Sequence, residues 1–131
     1  SQTHRLTPWS NDPVTDPPGE AFYLRDDEDG AVWSPAPAPA GAGQAYLVRH
    51  GQGYSTFEHR RGALEHELTA FVATDADVKV WRLRLKNGGA RARRLSVYGY
   101  VEWVLGANRG SGYPVVTEAE ASAGAMMPKC W

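Results

Sequence analysis

Cysteine is nearly missing from this chain. Cys130 is the one thiol among 131 residues, so no internal disulfide can staple the fold, and a lone cysteine mildly favours a reducing compartment. Long apolar runs are missing as well. No uncharged apolar stretch approaches the ~20 residues that cross a bilayer, and no basic segment followed by an apolar run opens the chain. The expectation is therefore no membrane-spanning helix, no membrane contact by this segment and no visible signal. Excess charge of either sign is also lacking: 14 Lys+Arg stand against 15 Asp+Glu, for a net charge of −1 with 42% hydrophobic residues. That balance excludes a disordered chain and permits a real core.

Helical periodicity is absent too, since no segment sustains a 3.6-residue period over about eleven residues. Neither a P-loop, a GxGxxG followed by a helix nor a GxSxG elbow is present, which removes the usual footholds of nucleotide and serine-hydrolase chemistry. His4, His50, His59 and His66 do not fall at metal-ligand spacing and Cys130 is remote from them. No metal and no cofactor are expected.

Aromatics and turn formers are abundant, with Trp 5, Tyr 6 and Phe 3 beside Gly 14 and Pro 9. Such a mixture favours short strands joined by turns. Residues 1–19, with Pro8, Pro13, Pro17 and Pro18, read as an extended arm. Ala21–Arg25 and Ala31–Ser34 form a hairpin around Asp29-Gly30, and the Pro/Ala/Gly run 35–43 reads as a surface loop. Further strands are expected at Ala45–His50, Gly53–Arg60, Ala63–Ala73, Val78–Lys86 and Arg93–Leu105, then shorter ones at Tyr113–Glu118 and Ala125–Met127. In Val78–Lys86 the apolar parity switches, which implies a bulge near Trp81 or a strand covered on both faces. The pattern is all-β, an antiparallel β-sandwich, and most rings are expected inside it.

Charge is unevenly distributed. Residues 1–45 hold Arg5 and Arg25 against seven acids, whereas 78–94 carry seven bases and no acid. Because Arg82, Arg84 and Lys86 share one strand parity, this run reads as a solvated face rather than a nucleic-acid site. Glu102, between Val101 and Trp103, offers two readings: a buried catalytic acid, or a carboxylate satisfied by tyrosine hydroxyls or an arginine. Two segments combine rings with directional polar groups. Arg5, Trp9, Asn11 and Asp12 lie within eight residues, and His50, Gln52 and Tyr54 are interleaved with Gly51 and Gly53. Indole and phenol faces stack on sugar rings while amides, carboxylates and guanidinium groups meet hydroxyls. The structural alternative has Trp9 plugging the sandwich and Asp12 capping a turn.

RLTPWSNDP (5–13), GEAFYLRD (19–26), VWSP (32–35), VRHGQGYSTFEH (48–59) and RRLSVYGYVEWVLG (93–106) occur in this order along the chain. Together they resemble the amino-terminal β-supersandwich of glycoside hydrolase family 94, formerly glycosyltransferase family 36. The likeness is nearest to the phosphorylase-like region of bacterial cyclic β-1,2-glucan synthetases. It implies a galactose-mutarotase-like supersandwich of which residues 1–131 form a single-domain fragment. It implies a larger inverting enzyme whose catalysis takes place in an (α/α)6 barrel that nothing here resembles, so that Glu102 belongs to the sandwich. By the same resemblance the module packs on that barrel, helps form a homodimer, and presents the loop Ala107–Tyr113 near a β-glucan or gluco-oligosaccharide. Asn108, Arg109 and Tyr113 are the sugar-contact candidates there by chemical type. The implied location is the cytoplasm or the cytoplasmic face of the inner membrane. The rival readings are a structural or dimerisation domain without sugar affinity and a free-standing carbohydrate-active enzyme.

Overall fold

The computed structural model describes residues 5–9, 12, 14, 15, 17–108, 114–120, 122 and 125–130. Among them there is no helix. Nine strands run in order: β1 (Glu20–Asp26), β2 (Val32–Trp33), β3 (Leu47–Gly51), β4 (Tyr54–Arg61), β5 (Leu64–Val72), β6 (Lys79–Asn87), β7 (Leu95–Val101), β8 (Val115–Glu120) and β9 (Ala125–Cys130). The chain divides into two compact units, Ala21–Gly99 and a second composed of Ser1–Glu20 with Tyr100–Trp131.

In the unit Ala21–Gly99, one sheet has the order β2-β1-β7 and the other β3-β4-β5-β6. Leu24 of β1, Trp33 of β2 and Leu64 of β5 form the buried cluster between them, with Leu83, Leu95 and Ala42 packed against it. Phe22 of β1 meets Trp81 of β6 with ring centroids 5.4 Å apart. This is a β-sandwich, as the alternation anticipates. Tight turns close the hairpins where glycine supplies a left-handed backbone: Gly30 (φ 73) between β1 and β2, Gly53 (φ 77) between β3 and β4.

The expected irregularity in β6 is absent. β5 and β6 pair without interruption from Leu64↔Asn87 to Val72↔Lys79, so there is no bulge at Trp81. Nor is the strand covered on both faces, because Arg82, Arg84, Leu85 and Lys86 are exposed. The parity switch has another cause. Val80 is in register with Phe71, which is in register with Tyr54, so a small apolar row sits on the otherwise polar outer face.

Two further expectations need correction. The run 35–43 is not wholly on the surface: Pro35 is fully buried, and Ser34 and Ala40 exchange bonds, N–H to carbonyl at 2.6 Å and Ala40 N–H to the Ser34 hydroxyl at 3.2 Å. Nor do the rings mostly fill the interior, since Tyr98 and Tyr100 are half exposed and only Trp33 among the described aromatics is enclosed.

In the second unit, Arg5 and Gly106 form a backbone bridge (2.9 and 3.3 Å), and the Val104 N–H donates to the Leu6 carbonyl at 2.9 Å. The Glu102 N–H donates to the Gly19 carbonyl at 2.8 Å. These bonds explain why β7 ends at Val101 rather than at Leu105. Residues 102–106 pair with the arm, and Leu105 takes a left-handed conformation (φ 49) that no strand tolerates. β8 and β9 form a hairpin of their own, paired from Val115↔Cys130 to Glu120↔Ala125.

Candidate functional site

Arg5 and Trp9 come together in the arm. The guanidinium lies 5.5 Å from the indole centroid and contacts the Trp9 carbonyl at 3.5 Å. Trp9 is 66% exposed, so it does not plug a core, and its cationic neighbour leaves a face of the ring open to ligand. Asp12 is occupied otherwise. Its carboxylate accepts from the Val14 and Thr15 N–H groups and the Thr15 hydroxyl, and those bonds, the hydroxyl foremost, hold its pKa below the ordinary carboxylate value. The capping role anticipated as its structural alternative is what it performs. Asn108 is exposed and engaged by a neighbour. Asn11, Arg109 and Tyr113 lie outside the described residues.

His50, Gln52 and Tyr54 share the β3–β4 hairpin, whose register pairs Gly51 with Tyr54 and His50 with Ser55. Strand alternation sends Tyr54 and His50 to opposite faces. His50 Nδ1 lies 2.9 Å from the Ser55 hydroxyl. The two glycines serve different ends: Gly53 makes the turn, while Gly51 makes room for the Tyr54 ring, which a Cβ at 51 would meet at 2.1 Å. Tyr54 is 50% exposed as a result, a ring laid over the hairpin with its other side free. Glu102 is half-buried rather than buried, and Gly19 holds its backbone.

Three groups escaped the sequence reading. First, the acid-free basic run finds its counterions on β5: Arg82 and Arg84 reach Glu67 at 3.5 and 3.8 Å, and Lys86 reaches Glu65 at 3.1 Å. The signal was present, since Glu65 and Glu67 occupy the polar parity of β5, but only the register assigns partners. Second, the fully buried Asp26 carboxylate pairs with Arg93 and, at 3.8 Å, with Arg61, and accepts from the Glu28 N–H at 3.0 Å.

Third, two buried histidines and a tyrosine pin the 34–46 segment to the inner face of the β3–β6 sheet. Tyr46 stacks on His59 at 4.4 Å, donates its hydroxyl to the Ser34 carbonyl at 2.7 Å and accepts from the Ala42 N–H at 3.1 Å. His59 Nδ1 meets the Ala45 carbonyl at 3.1 Å, and His66 Nε2 meets the Pro35 carbonyl at 3.2 Å. Since a carbonyl only accepts, both ring nitrogens must carry hydrogens. Burial, aided by the nearby His59, pushes the His66 pKa down to about 4 against the pull of the Pro35 carbonyl. The folded state thus resists a proton that the unfolded chain takes up near pH 6.5. Stability should be flat above pH 6.5 and fall by about 3 kcal/mol as the pH drops to about 4. Urea titrations at pH 7.5 and 4.5 check this, and in His66→Leu the slope across that window should largely vanish; an unchanged slope would remove His66 as its source.

The family model for the glycosyl hydrolase 94 supersandwich domain matches residues 1–130. The chain belongs to that family. This supersandwich domain is 43% identical over 125 residues to the cyclic β-(1,2)-glucan synthase NdvB of Rhizobium meliloti, covering 94% of the chain and 4% of the synthase. It is 35% identical over 103 residues to an N,N'-diacetylchitobiose phosphorylase of Vibrio furnissii, 76% of the chain and 13% of that enzyme. A solabiose phosphorylase of Paenibacillus borealis is 35% identical over 85 residues, 64% of the chain and 11% of the enzyme. The supersandwich domain therefore spans a small part of the length of its curated relatives. The five motifs of the sequence pointed to the family that the match shows, and the sandwich agrees with it.

Proposed function

We propose that this supersandwich domain is a non-catalytic, carbohydrate-contacting support module of a cyclic β-1,2-glucan synthase or a related inverting disaccharide phosphorylase, packed on an (α/α)6 barrel and shaping its sugar cleft. The observation that carries the reading is the match over residues 1–130 together with 43% identity to a glucan synthase. The exposed rings of Trp9 and Tyr54, flanked by Arg5 and Gln52, support it chemically: flat apolar faces beside hydrogen-bonding groups suit sugar rings. On this reading the domain works in the cytoplasm or at the cytoplasmic face of the inner membrane. Among the described residues no helix is long and apolar enough to cross a membrane.

Titration of the chain with β-1,2-gluco-oligosaccharides, followed by tryptophan fluorescence and calorimetry, tests the reading. Binding is expected, weakened about tenfold in Trp9→Ala or Tyr54→Ala, since a stacked ring contributes roughly 1 kcal/mol or more. Release of glucose 1-phosphate from β-1,2-glucan and phosphate by this chain would refute the non-catalytic role and revive Glu102 as an acid. A structural or dimerisation role without sugar affinity is the second reading. It is favoured by β7, an outer strand of its sheet that exposes Val97, Tyr98, Tyr100 and Val101. Dimers by light scattering with no heat on sugar addition would establish it instead.

A further inference from the structure

The outer face of the β3–β6 sheet carries an open groove of about 610 Å3. Its lining takes three consecutive residues from each of three strands, 58–60 of β4, 65–67 of β5 and 84–86 of β6. In a pleated strand the first and third residues of such a triplet point to one face and the second to the other. The middle residues His59, His66 and Leu85 are in register with one another and turn inward, so on this side their backbone forms the floor. Two cross-strand rows form the walls: Glu58, Glu67 and Arg84 on one side, Arg60, Glu65 and Lys86 on the other.

Three carboxylates therefore face three cations, and the groove has no net charge. An anion would find every lining cation accompanied by an acid and a metal ion would find every acid accompanied by a base, while Ala45, Leu47 and the side-chain stems add apolar surface between the charges. A hydroxyl group suits it, because it can donate to a carboxylate while accepting from the guanidinium or ammonium beside it. The walls are already held in place: Glu65 sits between Lys86 at 3.1 Å and Arg60 at 3.9 Å, Glu67 between Arg82 and Arg84, and Glu58 against Arg49. Side chains fixed by such pairs lose less entropy when a ligand arrives. The volume is that of a small-molecule site. Along the same face, four residues from Glu58 and so roughly 13 Å away, stands the half-exposed Tyr54 ring.

We propose that this groove binds a neutral polyhydroxylated chain, a short run of β-linked hexose units, with the paired charges meeting its hydroxyls and Tyr54 receiving a sugar face further along the strands. The proposal rests on the carbohydrate reading above and adds to it a subsite away from Trp9. Short linear β-1,2-gluco-oligosaccharides, added to the chain while backbone amide shifts are followed by NMR, test it. The amides of His59, His66 and Leu85 should shift together with Tyr54. The double variant Glu65→Gln/Glu67→Gln should bind roughly tenfold more weakly, as expected when charged acceptors are lost. Should that variant fail to fold, Lys86→Ala carries the same test, because Lys86 is 74% exposed on an outer strand. Unchanged affinity in the folded variants overturns the groove. So do sugar shifts confined to the 51–54 hairpin or to Trp9, which would leave the carbohydrate reading standing. An absence of shifts anywhere overturns both, and groove shifts produced by inorganic phosphate in place of sugar overturn the neutral ligand.

Discussion

Replacing Asp26 by alanine should cost the domain about 3–5 kcal/mol, the penalty for breaking a buried ion pair by removing one partner. The carboxylate has no exposed surface, and Arg93 and Arg61 both converge on it while the Glu28 N–H takes a third lone pair. Without Asp26 the guanidinium groups are left with the rim, where Arg61 meets Asp29 at 3.0 Å. The Asp26 backbone also closes the β1–β2 turn, with its N–H on the Ala31 carbonyl at 3.0 Å and its carbonyl accepting from Gly30 at 2.8 Å. Those bonds survive the substitution, so the loss reports the carboxylate alone. With a urea slope of about 1–3 kcal/mol/M the midpoint should fall by roughly 2 M. A double-mutant cycle with Arg93→Met should show strong coupling, of order 1–3 kcal/mol. A loss below about 1 kcal/mol would mean that water reaches this pair.

Trp33→Ala should be comparably severe, about 3–5 kcal/mol, because it empties the centre of the cluster with Leu24 and Leu64. Trp33→Phe should be mild by contrast, about 1.5 kcal/mol or less. The reason lies in two details. The indole Nε1 is buried and finds no hydrogen-bond partner among the described residues, so a phenyl ring forfeits no bond there. The Arg61 guanidinium 5.1 Å above the ring loses only the difference between an indole and a phenyl face. Thermal melts of the two variants separate these contributions. Equal losses would mean that the Nε1 hydrogen bonds after all to an ordered water.

Much of the fold was readable from residue order. Period-two alternation with glycine at the turns located the strands, because a half-buried sheet writes its two faces directly into the chain. Alternation also ran past its warrant at Arg93–Leu105. The residues stay apolar to Leu105, yet the ladder ends at Val101 because the arm supplies other backbone partners. The supposed bulge near Trp81 failed for a related reason. Parity on one strand cannot reveal that Phe71 and Tyr54 extend an apolar row across two others.

For the candidate site, residue type and spacing identified two exposed rings, Trp9 and Tyr54, and identified Asp12 as either ligand or cap. The hydrogen bonds from Val14 and Thr15 show the capping part of that pair of readings. The groove could not be read at all. Glu58, Glu65 and Glu67 look like ordinary solvated acids until register sets them beside the cations of β6.

Composition, period and the five ordered motifs were enough to establish an all-β chain, its strand spacing and its family, because each is written in local order. Partner choice belongs to the tertiary structure. Asp26 and Arg93 are 67 residues apart, Pro35 and His66 31 apart, and Lys86 and Glu65 21 apart. Alternation tells each such residue which face it occupies, but hydrogen-bonded register between strands distant in sequence selects what it meets there, and with it the buried charge, the neutral histidine and the charge-balanced groove.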